Sequence, residues 1–301
     1  MEQTWKQAKG AFAAVFAPPT FWLVFFFLIP LAVIWAYSFG VNASPTEISL
    51  TGTFANYFRA FEPVYLTIFL KSAWVAGLTT LLCLVIGFPV ALGIAFASPK
   101  LKSWLLLLIM LPFWTNLLIR TYALIAVLRS EGYVNSIYEW LYNGASGFIH
   151  ALGLPAFPAY QPLELLHNSW AVVFGLIYVN LPFMVLPLYS ALDRMDRSLM
   201  EASLDLGAGH LRTIFLVVVP LAAPGIASGV LITFIPALGS YLTPDLLGGP
   251  NDQMIANVIE RQFKRANDWP FGSALSFILM YLTFIAIAVQ ALMAPRTEKR
   301  A

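Results

Sequence analysis

The sequence predicts an all-α integral membrane protein that crosses the bilayer six times. Three observations predict it. Of 301 residues, 59% are hydrophobic and only 11% are charged, whereas a soluble domain carries about 25% charged residues. Mean hydropathy is +0.77. Six stretches, at approximately 20–40, 69–97, 104–128, 168–190, 215–242 and 272–294, reach the roughly 20 mainly apolar residues that a spanning helix needs. Unpaired backbone groups cannot face lipid, so each stretch reads as helix. The whole chain, 1–301, reads as one transmembrane domain.

The first stretch contains "FWLVFFFLIPLAVIWAYSF", residues 21–39, behind Lys6 and Lys9. It is longer than the roughly 7–15-residue core of a cleaved signal and ends in aromatic residues, so it reads as a retained span. Pro30, Pro89, Pro112, Pro182, Pro187 and Pro236 fall within spans, where neighbouring helices satisfy the carbonyls a proline frees. Cys83 is the sole cysteine and makes neither an intrachain disulfide nor a cysteine metal cluster. A net charge of +2 without a basic tract points away from nucleic acid; membrane lipid is the partner that composition requires.

Orientation follows from basic residues. Lys6, Lys9, Lys100, Lys102, Arg194, Arg197, Arg212, Arg296, Lys299 and Arg300 share one side, against Arg59, Arg129, Arg261, Lys264 and Arg265 on the other. The positive-inside rule then places both termini in the cytoplasm. The loops at 41–66, 129–167 and 243–271 lie outside. Within the second, "YVNSIYEWLYN", 133–143, has helical spacing of Val134, Ile137, Trp140 and Leu141. That segment reads as a helix lying on the outer membrane surface, receiving a partner, or packing on the bundle.

The inner loop at about 191–214 carries the most distinctive residues. "SLMEASLDLGAG", 198–209, forms a short helix, with Ser198 as cap and Glu201 three residues later. Leu199, Ala202 and Leu206 share a face, and Gly207 and Gly209 let the chain turn. "EAS" at 201–203, three residues, Gly207, nine residues and "VVVP" at 217–220 resemble the EAA loop of ABC importer permeases. That family pattern is Glu-Ala-Ala, three residues, Gly, nine residues, Ile-x-Leu-Pro. Ser203, Val217 and Val219 depart from it mildly. "APGI" (223–226) is also similar. "PFWTNLLIRTYA" (112–123), "LPFMVLPLYSAL" (181–192), "DLLGGPND" (245–252) and "NDWPFGSALS" (267–276) resemble permeases of spermidine/putrescine importers, from about residue 65 onward.

The resemblance implies a type I ABC importer permease fold in a bacterial inner membrane, with a cytoplasmic coupling helix between spans four and five. It implies a cytoplasmic ABC ATPase dimer, a second related permease, and a periplasmic or extracellular substrate-binding protein. In that family the loop seats in a cleft of the ATPase, which assigns coupling to Glu201, Ala202, Ser203, Leu206 and Gly207. No cofactor is expected in this chain; ATP and Mg would be bound by the ATPase. Independently, the chain lacks a G-x-x-x-x-G-K-[ST] phosphate loop, a nucleophile elbow and histidines at metal spacing, so it does not read as an enzyme. An ion-coupled secondary transporter is the alternative from another class. It would want buried acidic residues, and the spans show none.

The implied substrate is a polyamine; another amino compound, such as an aminophosphonate or opine, is the alternative. A cation path uses aromatic faces and carboxylates. Candidates are Trp114, Tyr122, Tyr178 and Tyr241, with Asn116 and Asn180 as neutral hydrogen-bonding groups and Asp245 beyond span five. Arg120, about 24 Å from the inner surface at 1.5 Å per residue, is a further candidate, although a free arginine repels a polycation. Either it faces a partner such as Asp245 or the second permease, or the substrate is not a polyamine. Lys71 reads as snorkelling. Gly225 and Gly229 form a G-x-x-x-G suited to a close crossing, within the chain or with the second permease.

Overall fold

The computed structural model describes residues 9–44, 47–152, 155 and 157–293. Lys6, Arg296, Lys299 and Arg300, which enter the charge asymmetry, lie outside the described residues. The helices are α1 (Lys9–Leu23), α2 (Ile29–Tyr37), α3 (Ala55–Ala60), α4 (Pro63–Phe96), α5 (Pro99–Met110), α6 (Leu117–Leu128) and α7 (Tyr133–Ala151). They continue with α8 (Ser169–Asp193), α9 (Ser198–Asp205), α10 (His210–Thr213), α11 (Val219–Leu238), α12 (Leu242–Leu247), α13 (Ile255–Lys264) and α14 (Trp269–Met293). Among the described residues five helices are long and apolar enough to cross a membrane: Phe12–Tyr37, Pro63–Phe96, Ser169–Asp193, His210–Leu238 and Trp269–Gln290. A bent pair, Pro99–Trp114 with Leu117–Ala151, supplies a sixth when taken as one span.

Contacts divide the chain into two compact units. One holds the residues up to Leu66 with Val258–Leu282; the other holds Thr67–Asn257 and the residues from Thr283. In the first unit, α1 and α2 join through a π-helical turn at Val24–Leu28. There the Ile29 N–H donates to the Val24 carbonyl, five residues back instead of four. Pro30 follows at once. Its ring crowds the carbonyl four residues back, which belongs to Phe26 inside the widened turn. Beyond α2, Ser38 Oγ donates to the Trp35 carbonyl at 2.6 Å and shares a 2.8 Å hydrogen bond with the Tyr57 hydroxyl. A hairpin follows, Gly40–Ser44 against Glu47–Leu50, with Gly40 opposite Leu50. Buried Asn56 on α3 donates to both the Ser38 and Gly40 carbonyls, at 3.1 and 2.8 Å. Arg59 meets Asp268 at 2.7 Å and lies 3.9 Å from the Phe271 ring centre. The segment between α2 and α4 is therefore tied at both ends.

In the second unit the core joins α4, through Cys83, Ala91 and Ile94, to α8, through Met184, Val185, Leu188 and Leu192. Val218 and Ala222 complete it. A second π turn, Ile214–Val218, links α10 to α11. The Val219 N–H donates to the Ile214 carbonyl, and Pro220 follows, as Pro30 follows Ile29 in the first unit. The glycine pair of α11 makes its close crossing with α8 of the same chain. A Cβ on Gly225 would lie 2.4 Å from Ala191 Cβ and 2.9 Å from the Pro187 carbonyl oxygen; one on Gly229 would meet Met184 Sδ at 2.8 Å. Backbone cannot yield as a flexible thioether can. Gly225→Ala is therefore expected to destabilise the chain by about 1–3 kcal/mol, and Gly229→Ala by less. Thermal unfolding in detergent checks the order.

The stretch expected as one span over 104–128 is interrupted. A 3₁₀ turn at Leu111–Trp114 ends the first part. Thr115 and Asn116 carry ψ of 145° and 137°, outside the helical range. The two parts bend by 95°. Pro112 removes a backbone donor. Asn116 starts a new helix, its side chain accepting the Leu118 N–H at 2.8 Å, as an N-cap does. The segment expected as helical at 133–143 is helical over Tyr133–Ala151. Ile137, Trp140, Leu141 and Phe148 are exposed on it, and Val134 is half-buried. Buried Asn135 ties α7 to the turn before it, donating to the Arg129 carbonyl, and to the segment after it, donating to the Leu163 carbonyl and accepting from the Tyr160 hydroxyl and the Leu163 N–H.

Candidate functional site

The loop between α8 and α11 is built from local rules. The cap of α9 differs from expectation. Ser198 is the first helical residue, and the Asp196 carboxylate accepts its N–H at 3.0 Å. Hydrogen bonds from the Ser198 N–H and hydroxyl hold the Asp196 carboxyl below its ordinary range. The N-cap position falls on Arg197, whose side chain makes no cap hydrogen bond, and the Asp196 carboxylate before it satisfies the first orphan donor of the helix. The far end closes as a Schellman motif: the Gly207 N–H donates to Leu204 O at 2.9 Å, and the Ala208 N–H to Ser203 O at 3.1 Å. That pattern needs a left-handed residue after the cap, and Gly207 has φ +82°. The motif glycine thus ends the helix.

Glu201, Ala202, Asp205, Leu206 and Gly207 are exposed, while Ser203 is half-buried. Leu206 is 88% exposed. Leu199, Ala202, Ser203 and Leu206 line a groove of about 580 Å³ with Leu216, Val217, Pro220 and Leu221. Burying one such leucine is worth about 1.5–3 kcal/mol, so this rim favours a contact. The base of the loop is fixed. Lys102 meets Asp193 at 2.5 Å, and Arg197 donates to the Ala95 carbonyl at 3.2 Å with Phe96 beneath its guanidinium.

The other predicted residues divide. Trp114, Tyr122, Tyr178, Tyr241 and Asp245 are exposed. Asn116 is engaged as the cap of α6. Asn180 is buried, and its amide donates to the Leu176 carbonyl at 2.8 Å, which withdraws it from any open surface. Arg120 is only 6% exposed. Its hydrogen bonds go not to Asp245 but to the break in its own span. They reach the Pro112 carbonyl, the Thr115 carbonyl at 3.1 Å and Thr115 Oγ1 at 3.3 Å. The Tyr178 ring lies 5.7 Å away. Carbonyls freed at membrane depth need such a partner. Of the predicted set, the fold brings Arg120 and Tyr178 together.

One cluster escaped sequence reasoning. Lys71 is not snorkelling: its ammonium meets Asp252 at 2.9 Å and the Asn251 carbonyl at 2.6 Å. Ser169 also donates to Asp252, as does the Gly249 N–H, at 3.1 Å. Burial pushes this carboxyl up, but Ser169, Lys71 and Gly249 together outweigh it and hold the pKa below its ordinary value. A depressed pKa contributes stability that is complete above the unfolded value of about 3.9. That stability fades as pH falls through the lower folded value. Asp252→Asn is therefore expected to loosen the loop between α12 and α13 at neutral pH, read as faster amide exchange across 247–253, and to flatten its acid dependence below about pH 4. The "DLLGGPND" motif held the only sequence signal; its partners are far away in the chain.

Comparison with known proteins places these features. The family described as binding-protein-dependent transport system inner membrane component matches residues 84–299. The spermidine/putrescine transport system permease protein PotB of Escherichia coli (strain K12) is 38% identical over 268 residues, covering 89% of this chain and 92% of its own. The inner membrane ABC transporter permease protein YdcU of the same organism is 30% identical over 92% of this chain and 88% of its own. A bacterial ABC transporter involved in import of the acidic polysaccharide alginate shares the fold, with a TM-score of 0.72 at 17% identity across 99% of both chains. The motif loop, the apolar helices and these relatives agree: the chain is a multi-pass inner-membrane protein and belongs to the permease components of binding-protein-dependent ABC importers.

Proposed function

We propose that this chain forms half of the translocation path of a polyamine importer, carrying spermidine or putrescine inward. The observation that supports it best is the exposed motif helix in a chain that aligns over 89% of its length with a spermidine/putrescine permease. A cytoplasmic ATPase dimer, which binds ATP and Mg, seats on Glu201, Ala202, Leu206 and Gly207. Ser203 lies behind that face. Closure of the dimer turns the helix bundle as a rigid body. A second related permease supplies the other half of the path, and an external binding protein delivers the substrate. Both termini are cytoplasmic, on the side of Lys100, Lys102, Arg194, Arg197 and Arg212.

Along the path, Trp114, Tyr122, Tyr178 and Tyr241 offer π faces to an ammonium group, and Asp245 offers a carboxylate. The objection from Arg120 weakens, because its charge is engaged by carbonyls and shielded from solvent. Asn180 drops out of the path, and Asn116 serves the fold. The test is uptake of labelled spermidine by cells carrying the complete system, with unlabelled putrescine as competitor. ATP-dependent, competed uptake is expected. Uptake of an opine or aminophosphonate in its place would overturn the polyamine assignment.

A further inference from the structure

Ser203 stands where the resembled motif has alanine, and its hydroxyl has a use. It shares a 3.0 Å hydrogen bond with the Thr213 hydroxyl. Thr213 is the last residue of α10, is 2% exposed, and directly precedes the π turn that leads into span five. Along the backbone, α9 joins α10 and span five through residues 206–209, which include Gly207, at positive φ, and Gly209, the N-cap of α10. A glycine-bounded linker bends easily. A groove of about 580 Å³ opens between α9 and the base of that span. Met200 packs from the first turn of α9 onto the core, and Ser203 fastens the last turn.

We propose that the Ser203–Thr213 hydroxyl pair is a transmission point. It makes Thr213 a positioning residue for transport, through which displacement of α9 reaches span five instead of being absorbed at the glycines. A lever fixed at one flexible end swivels, whereas a second fixed point forces the attached element to follow. The proposal rests on the coupling role given to α9 above.

The experiment uses the full chain in proteoliposomes with the ATPase and second permease with which it purifies and the binding protein of its system, and reads labelled spermidine taken up per ATP hydrolysed. Thr213→Val keeps the side-chain shape and removes the hydroxyl. It is expected to retain the ATPase at wild-type yield while lowering uptake per ATP on the order of three- to tenfold, the worth of one hydrogen bond. Thr213→Ser, which keeps the hydroxyl, is expected to restore the ratio. Ser203→Ala with Thr213→Val is expected to cost no more than either alone, since both remove one interaction. An unchanged ratio in Thr213→Val with the ATPase still bound overturns the proposal, as do additive losses in the double variant. A wild-type chain that purifies without any ATPase overturns the coupling reading itself, and this inference with it.

Discussion

Gly207→Val is expected to abolish coupled uptake, leaving less than a tenth of the wild-type rate, while the protein still inserts and folds. Gly207 occupies the left-handed region at φ +82°, where a β-branched residue is a steric outlier and the strain is of order 1–3 kcal/mol. The cheaper response is for the last turn of α9 to unwind, which removes Leu206 from its place on the rim. Apart from its two chain neighbours, no heavy atom among the described residues lies within 4 Å of a Cβ at 207, so the damage stays local. Asparagine visits the left-handed region far more readily than valine. Gly207→Asn should therefore keep most of the transport if helix termination is the glycine's whole task. If Asn fails as completely as Val, the glycine also admits close approach of another backbone. Normal uptake by the Val variant would end the case for this motif residue. Pull-down of the ATPase alongside uptake separates lost docking from lost transmission.

Arg120→Ala is expected to loosen the break between α5 and α6. The guanidinium serves the Pro112 carbonyl and both oxygens of Thr115 at the point where α5 and α6 part. The Pro112 carbonyl keeps the Thr115 N–H and hydroxyl as donors, at 3.2 and 2.7 Å, so the Thr115 carbonyl is the acceptor left without its partner; a loss of about 1–3 kcal/mol is expected. Lysine presents a point charge, not a planar fork, and Arg120→Lys should recover only part. Thermal unfolding in detergent gives the stability, and spermidine uptake the function. A stable Ala variant with faster polyamine uptake would mean that Arg120 repels the substrate and is no staple for the break.

Hydropathy reads composition and not direction. That is why the apolar stretches were legible and the 95° break in one of them was not. A local signal existed: Asn116 before "LLI" is a capping residue before an apolar run, and Pro112 precedes it. Inside a long greasy stretch both read as a tolerated kink. The motif loop was legible because it depends on short-range rules, a cap and a left-handed glycine. Even there the N-cap fell to Arg197 instead of Ser198, with Asp196 taking the first helical N–H, since spacing alone does not choose between neighbouring starts. The glycine pair announced a close crossing without naming its partner, which proved to be α8. Long-range pairs such as Lys71 with Asp252 leave no periodic trace, so only the fold reveals them.

The π turn at Ile214–Val218 also absorbs a phase. Each regular helical residue advances the azimuth by about 100°, but the surplus residue of a π turn is taken up within that one widened turn. Excising a single residue between 214 and 218 would therefore restore regular winding and leave Gly225 and Gly229 facing Ala191 and Met184. Excising one between 219 and 224, where no surplus exists, would turn the pair by about 100°. A one-residue deletion within the turn should thus be better tolerated than one just beyond it.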